Sequence, residues 1–185
     1  MIKQLSTLCF LLTLMACQNK KPVEISQEDW ITLQKETVEH LREKSFGIAA
    51  DNLKRSMSLA GDDMNRWEYT RMGLASLPPD LALPMVETAL KHKKVKNNDE
   101  QLFGYSKVYT QFKQLEPALK VVNKAIDIKR KEDYVFWRAR LYLMLKKYVL
   151  AEQDYLWLID KDDSKEAYIS QYASLLNHLD RTNEA

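Results

Sequence analysis

Cysteine is almost absent from this chain of 185 residues, and both copies, Cys9 and Cys17, lie near its amino terminus. Every residue after Cys17 therefore lacks a thiol. The body of the protein can form neither an intrachain disulfide nor a cysteine-ligated zinc site. Its stability must come from the packing of its secondary structure.

Glycine and proline are also scarce, with only four glycines and five prolines. These residues end helices and shape the turns of sheet proteins, so their scarcity favours a helical chain. Apolar residues make up 45% of the sequence and charged residues 29%, as in an ordinary folded protein. The length is sufficient for one domain.

The net charge is small, at +2 for the whole chain and +1 without a leader that contains Lys3. This charge is too small to imply a nucleic-acid polyanion as the partner, so we expect no nucleic acid. Two basic runs, at 91–96 and 129–131, follow the predicted ends of helices, where cations complement the helix dipole. A basic strip that faces anionic lipid or an acidic partner is the alternative.

Catalytic and cofactor motifs are missing, since the chain has no G-x-S-x-G, G-x-G-x-x-G, P-loop or H-E-x-x-H. His40, His92 and His178 fall in separate parts of the chain and are interpreted as surface or packing residues. The acidic cluster at 160–163 lacks the central glycine and terminal glutamate of a calcium loop. We therefore expect no metal, no cofactor and no enzymatic activity.

The apolar run LCFLLTLMA at 8–16 is too short to cross a bilayer, which requires roughly 20 residues. It follows Lys3 and is typical of the leader of an exported protein. The run ends in Leu14-Met15-Ala16-Cys17, which resembles the lipobox of bacterial lipoproteins. An ordinary signal peptide with an incidental cysteine is the alternative.

The lipobox resemblance implies a signal peptide at 1–16, cleavage before Cys17, and a diacylglyceryl thioether on its sulfur. It also implies an acyl chain such as palmitate on the new amino terminus. Two or more acyl chains hold a protein stably on a membrane. Residues 17–27 are then the acylated cysteine and a polar tether. Because Gln18 rather than aspartate follows the cysteine, we expect a lipid anchor in the outer membrane of the bacterial cell envelope, facing the periplasm.

Small residues recur along the rest of the chain with a nearly constant spacing of 33, 36, 33 and 34 residues. This first series is Ala49, Ala82, Ala118, Ala151 and Ala185. A second series stands twelve residues earlier, at Thr37, Thr70, Ser106, Ala139 and Ala173. Each pair predicts two helices that approach closely. The apolar residues four positions after the first series, which share one helix face, are Leu53, Val86, Val122 and Tyr155.

The stretch at 134–165 shows the unit most fully, as two amphipathic helices joined by a turn at 146–148. This resembles the tetratricopeptide repeat, a helix–turn–helix unit of about 34 residues. The resemblance covers 28–185 and implies an all-α fold, a right-handed helical-repeat solenoid of about four helix pairs plus one C-terminal helix. In the tetratricopeptide family a proline ends each repeat. The corresponding positions of the four repeats here are Gly61, Lys94, Arg130 and Asp163. A bundle of unrelated helix pairs is the alternative.

The repeats are expected at about 28–61, 62–98, 99–131 and 132–165, with a partial repeat at 166–185. Their helix pairs are expected at 28–60, 64–95, 99–131 and 133–163, before a single helix near 166–179. Ser26 predicts a helix N-cap and Gly61 a helix stop. Pro84 predicts a shortened or kinked helix beside a polar loop at 94–100. Gly104 is expected within a helix, where the lack of a side chain admits a close neighbour.

The resemblance implies that the first helices line the concave side of the solenoid. Around the small residue of each middle repeat, an aromatic residue is followed four positions later by a cation, on one helix face. The pairs are Trp67 with Arg71, Phe103 with Lys107, and Phe136 with Arg140. An extended acidic peptide with apolar side chains fits such a groove. Packing of the aromatics between neighbouring helices is the alternative.

We therefore expect a membrane-anchored adaptor that binds a protein or an acidic extended peptide. The alternative is a fixed structural subunit of a larger envelope assembly complex. The last predicted helix carries more apolar surface than one neighbour can cover, so we expect either a longer chain or self-association through this helix. Its apolar residues are Tyr168, Ile169, Tyr172, Leu175, Leu176 and Leu179.

Overall fold

The structure, a computed structural model, describes residues 26–161 and 166–179. Every regular element within these two ranges is an α-helix. In chain order the helices are α1 (Gln27–Arg42), α2 (Phe46–Ala60), α3 (Met64–Ala75), α4 (Pro79–Ala89), α5 (Lys93–Lys96), α6 (Asp99–Gln111), α7 (Leu115–Ile128), α8 (Glu132–Met144), α9 (Tyr148–Lys161) and α10 (Glu166–His178). The predicted all-α fold class is confirmed.

Helices α1 and α2, α3 and α4, α6 and α7, and α8 and α9 form four successive pairs, and α10 packs on α9. The first helices also contact one another, as α3 does with α6. The signal peptide expected at 1–16, Cys17, most of the tether expected at 17–27, and Ala185 lie outside the described residues.

Small residues lie where the helices touch, as the spacing predicts. Ala49, Ala82, Ala118 and Ala151 of the second helices are all 0% exposed. Their partners in the first helices, Thr37, Thr70, Ser106 and Ala139, are at most 1% exposed. The polar members of the series are hydrogen-bonded, since the Thr70 and Ser56 hydroxyls are 2.7 Å apart between α3 and α2. These positions therefore set the helix spacing.

Polar side chains begin several of the helices. The Ser26 hydroxyl accepts a hydrogen bond from the Asp29 amide at 3.1 Å, which confirms the predicted N-cap of α1. Asp63 caps α3 in the same way through the amides of Asn65 and Arg66. Each cap satisfies amides that have no acceptor within the helix.

The turns inside the first, third and fourth repeats share one geometry. Each holds a lysine in the left-handed region, with φ of 59° at Lys44, 58° at Lys113 and 57° at Lys146. The amide of the residue after each lysine donates a hydrogen bond to the carbonyl five residues earlier, at 2.8–2.9 Å. The donor and acceptor residues are Ser45 and His40, Gln114 and Tyr109, and Lys147 and Tyr142. This is the Schellman arrangement that satisfies carbonyls at a helix end.

The second repeat departs from this pattern, as its prolines predict. Pro79 is the first residue of α4, and Pro84 lies inside this helix of 11 residues, whereas α2, α7 and α9 have 14 or 15. The expectation of a polar loop at 94–100 is wrong. The short helix α5 occupies 93–96, and α6 already begins at Asp99. Gly61, with φ of 49°, ends α2 as predicted.

A partly buried ion pair joins the two helices of the fourth repeat. Arg138 of α8 donates from Nε and a terminal nitrogen to the two carboxylate oxygens of Asp154 of α9, at 2.8 and 2.6 Å. It also donates to Asn123 of α7 at 3.1 Å. Burial opposes the charge on Arg138, but the hydrogen bond to Asp154 and its charge raise the pKa of Arg138 above its ordinary value.

Helix α10 buries more of its apolar face than the sequence predicts. Tyr168, Leu175 and Leu176 are at most 4% exposed, and among its large apolar residues only Ile169, at 44%, is exposed. The apolar surface that would support self-association is therefore smaller than expected. None of the described helices combines the length and apolar character that a membrane crossing requires.

Candidate functional site

Trp137 of α8 lies at the centre of an aromatic and cationic surface between α6 and α8. Its indole Nε1 donates a hydrogen bond to the Ser106 hydroxyl of α6 at 3.1 Å. The Phe103 ring stands edge-on to the indole, with centroids 6.5 Å apart and planes at 90°. The half-buried indole is therefore held in one orientation by the neighbouring first helix.

Two exposed cations flank this indole. The Lys107 ammonium lies 4.2 Å from the Phe103 ring centroid and 5.8 Å from that of Trp137. The Arg140 guanidinium lies 5.4 Å from the Trp137 centroid. Among the residues that the structure describes, neither cation has a carboxylate within ion-pair distance. We call Phe103, Lys107, Trp137 and Arg140 the α6–α8 patch.

Arg71 occupies the matching position one repeat earlier but has a different environment. A Cβ added to Gly104 of α6 would lie 2.5 Å from Arg71 Nε, so the glycine lets the guanidinium lie across α6. The next first helix carries Trp137 in place of Gly104, and Lys107 is exposed there. The predicted close neighbour of Gly104 is thus Arg71.

The Arg71 guanidinium already has an internal counterion. It forms two hydrogen bonds with the Glu68 carboxylate, one of them from Nε at 3.0 Å. The Gln101 amide donates to the same carboxylate at 3.1 Å. The hydrogen bond from Arg71 holds the pKa of Glu68 below its ordinary value, against the opposing effect of burial. Arg71 is therefore less able than Lys107 or Arg140 to bind an external carboxylate.

The predicted place of Trp67 in the groove of the first helices is wrong, because the ring is buried against the second helices and does not face that groove. The side chain is 2% exposed, its Nε1 donates to the Gly61 carbonyl at 2.9 Å, and its ring packs on His92 with centroids 4.6 Å apart. A buried indole N–H needs an acceptor, and the carbonyl at the end of α2 supplies one. This ring therefore belongs to the packing between repeats.

Phe136 also serves packing. Its half-buried ring lies 5.2 Å from Tyr168 of α10 and 6.1 Å from Tyr155 of α9. Of the six predicted groove residues, the structure thus brings Phe103, Lys107 and Arg140 together. The alternative of packing between helices applies to Trp67 and Phe136, and in part to Phe103, whose ring packs on Tyr134 of α8 with centroids 4.4 Å apart.

Trp137, the central residue of the α6–α8 patch, is not predicted by the sequence pattern. An aromatic four residues before a cation pairs Phe136 with Arg140. Residues three apart also meet on a helix face, and this spacing places Trp137 beside Arg140. The spacing of three was available in the sequence, but the contact with Lys107 depends on the neighbouring helix.

Metal-binding groups do not converge in the described part of the chain, where no three His, Cys, Asp or Glu residues are grouped to hold an ion. His40 lies 3.7 Å from Glu43, and His92 packs on Trp67. Asp162 and Asp163 lie outside the described residues.

Similarity to known proteins is structural. No protein-family model matches the chain, and no curated protein matches it. Three crystal structures of MamA share the fold. The first has a TM-score of 0.61 at 10% identity, covering 88% of this chain and 90% of that one. The second, titled MamA AMB-1, has a TM-score of 0.60 at 12% identity, covering 86% and 87%. The third has a TM-score of 0.57 at 12% identity, covering 83% and 84%. The chain therefore has a tetratricopeptide-like helical-repeat fold.

Proposed function

We propose that this protein is a membrane-anchored, non-catalytic adaptor that binds an acidic extended segment of a partner protein in the bacterial cell envelope. One observation carries the proposal: two exposed cations, which have no carboxylate partner in the described part of the chain, flank an indole held in a fixed orientation. The helical-repeat fold supports it, since such arrays present extended surfaces for protein binding.

The α6–α8 patch provides both kinds of contact that such a segment needs. An apolar side chain of the partner packs on the half-exposed Trp137 indole, which the Phe103 ring supports from the side. Carboxylates on either side of it reach Lys107 and Arg140. Because both cations are exposed, each contact is weak and sensitive to salt. Specificity then depends on the spacing between the apolar side chain and the carboxylates.

The test is titration of the intact protein with a short synthetic peptide in which glutamates alternate with phenylalanine and glycine. The double variant Lys107→Ala and Arg140→Ala should weaken binding about tenfold at low salt, since each exposed charge pair contributes up to about 1 kcal/mol. The loss should shrink as salt is added. Helicity should stay unchanged. The melting temperature should fall by no more than a few degrees, because neither side chain has an ion pair within the described residues and each exposed cation–π contact contributes only about 0.5–1 kcal/mol.

The matched control is Lys120→Ala with Lys124→Ala, which removes two exposed lysines of α7 outside the patch. A peptide with glutamine in place of glutamate reports the apolar contribution alone. Equal binding by the patch variant and the control at low salt would reject the α6–α8 patch as the site.

A fixed subunit of a larger envelope complex is the second candidate. Val149 and Leu156 of α9 are seven residues apart on one helix face and are 67% and 48% exposed. Burial of these two side chains against another subunit would favour a permanent interface. Purification from membranes distinguishes the two functions, because a stoichiometric complex that survives high salt and excess acidic peptide supports the subunit.

A further inference from the structure

A second candidate site lies between α2 and α4 and shares no residue with the α6–α8 patch. It is a pocket of about 610 Å³, within the range of small-molecule sites in proteins. Its walls combine apolar side chains with two lysines. The lining side chains include Lys54, Met57, Trp67, Pro84, Met85 and Lys91.

The floor of this α2–α4 pocket is apolar and firmly held. The Trp67 indole is fixed by its hydrogen bond to the Gly61 carbonyl and by its contact with His92. Met85 is 5% exposed and Met57 half-buried. Methionine side chains adapt to the shape of an apolar ligand. The pocket can therefore bury a flexible hydrocarbon chain.

The hydroxyl groups of the pocket are already used within their own helices. The Ser58 hydroxyl donates to the Arg55 carbonyl at 2.8 Å, and the Thr88 hydroxyl donates to the Pro84 carbonyl at 2.9 Å. An extended peptide needs partners for its own backbone groups, which these donors do not provide. The ligand must therefore be one that gains affinity from burial and charge.

The charge at the rim is positive. Lys54 and Lys91 line the pocket, and among the residues that the structure describes no carboxylate lines it. Lys91 has no ion pair in the described ranges. Lys54 lies 3.0 Å from Asp51, but both side chains are largely exposed, so this pair is weak and easily replaced. An anionic head group is therefore favoured over a cationic or neutral one.

The pocket is particular to α4 and is not a general property of the repeats. The matching positions of the other second helices are mostly charged or polar. Where α4 has Pro84, they have Asp51, Lys120 and Gln153. Where α4 has Thr88, they have Arg55, Lys124 and Trp157. The neighbouring pocket between α4 and α7 is lined by Glu87 and Glu116 as well as lysines, so it does not select one sign of charge.

We propose that the α2–α4 pocket binds a fatty acid. Its acyl chain lies along Met57, Trp67 and Met85, and its carboxylate lies between Lys54 and Lys91. The site adds a ligand to a protein whose proposed partner binds elsewhere, at α6–α8.

The test uses the intact protein with ¹³C-labelled methionine methyl groups and dodecanoate below its micelle-forming concentration. The Met57 and Met85 signals should shift in a saturable way. Those of Met72 and Met144, which are 60% and 55% exposed outside the pocket, should not. Equal shifts at all four methionines would indicate non-specific coating and overturn the proposal. Binding that appears only with micelles or vesicles would overturn it as well.

Charge variants test the head group. Lys54→Glu with Lys91→Glu should weaken dodecanoate binding by at least about tenfold. Lys93→Glu with Lys96→Glu, which changes two exposed lysines that do not line the pocket, is the matched control and should leave binding unchanged. Thr88→Trp should fill the pocket and abolish binding while helicity is retained. Equal affinity for dodecyltrimethylammonium, or equal loss in the control, would reject the proposed carboxylate site.

Discussion

Two tyrosine hydroxyls in neighbouring first helices lie in opposite environments. Tyr105 is fully buried, its hydroxyl has no hydrogen-bond partner among the described residues, and burial raises its pKa well above the ordinary value. The Tyr134 hydroxyl instead donates to Asp99 at 2.9 Å and accepts from Lys131 at 3.0 Å. The two side chains therefore contribute differently to stability.

Tyr105→Phe should leave the free energy of unfolding unchanged or raise it by up to about 1 kcal/mol, because it removes a buried polar group that has no partner. Tyr134→Phe should lower it by about 1.5 kcal/mol, since it removes hydrogen bonds to charged groups. Urea unfolding of both variants is the measurement. A larger loss in Tyr105→Phe than in Tyr134→Phe would contradict this assignment.

Glu68 should make stability depend on pH. Its pKa is lowered by Arg71, so its contribution is fully present above the ordinary glutamate value of about 4.5 and is lost as pH falls through the lowered pKa. Glu68→Gln should therefore destabilise the protein at pH 7 and have little effect in strong acid. Because the carboxylate is 45% exposed, the difference at pH 7 should be about 0.5 kcal/mol. Urea unfolding at both pH values, with the exposed Glu87→Gln as the control, tests this; an equal difference at the two values would contradict it.

At the scale of the element, the three lysine turns show where the sequence has not optimised the backbone. A left-handed conformation costs a residue with a side chain about 1 kcal/mol relative to glycine. Lys113→Gly should therefore raise the free energy of unfolding by about 0.5 kcal/mol. The gain is smaller than the strain that it relieves, because glycine also increases the conformational entropy of the unfolded chain. Lys120→Gly, in the middle of α7, should lower it by about 1 kcal/mol. Thermal unfolding measures both, and a lower melting temperature for Lys113→Gly would rule out strain at this turn.

The same elements show what could be predicted from the sequence. Contacts between helices followed from the spacing of residues such as Ala118 and Ser106, because only small side chains fit where two backbones approach. The exposure of the groove cations could not be predicted in this way, because it depends on the residue that faces each cation from the neighbouring helix. Gly104 lets Arg71 lie flat against α6, whereas Trp137 takes the corresponding place beside Lys107. A periodicity within one helix contains no information about that neighbour.

At the scale of the whole molecule, ion pairs and hydrogen bonds connect each repeat to the next. Lys131, at the start of α8, lies 2.8 Å from Asp99 and 2.9 Å from Glu100 at the start of α6. The hydrogen bond with Asp99 is the main cause of the raised pKa of Lys131. In a linear array each repeat is stabilised mainly by its neighbours. Contacts of this kind keep the α6–α8 patch together, because they fix the two helices that carry it.

The proposed membrane anchor is a property of the whole protein and can be tested without knowledge of the partner. Cys17 lies outside the described residues, and the helical array begins at Gln27, so a tether of about ten residues would reach at most about 35 Å from the membrane. The native protein should partition into the detergent phase after membrane extraction, and mass spectrometry should find acyl chains on Cys17. Cys17→Ser should remain unprocessed or become soluble, because the thioether can no longer form. Cys9→Ser is the matched control and should partition as the native protein does. A mature protein that begins at another residue and carries no acyl chain would exclude the lipid anchor, while leaving the helical array and both proposed binding sites open to test in solution.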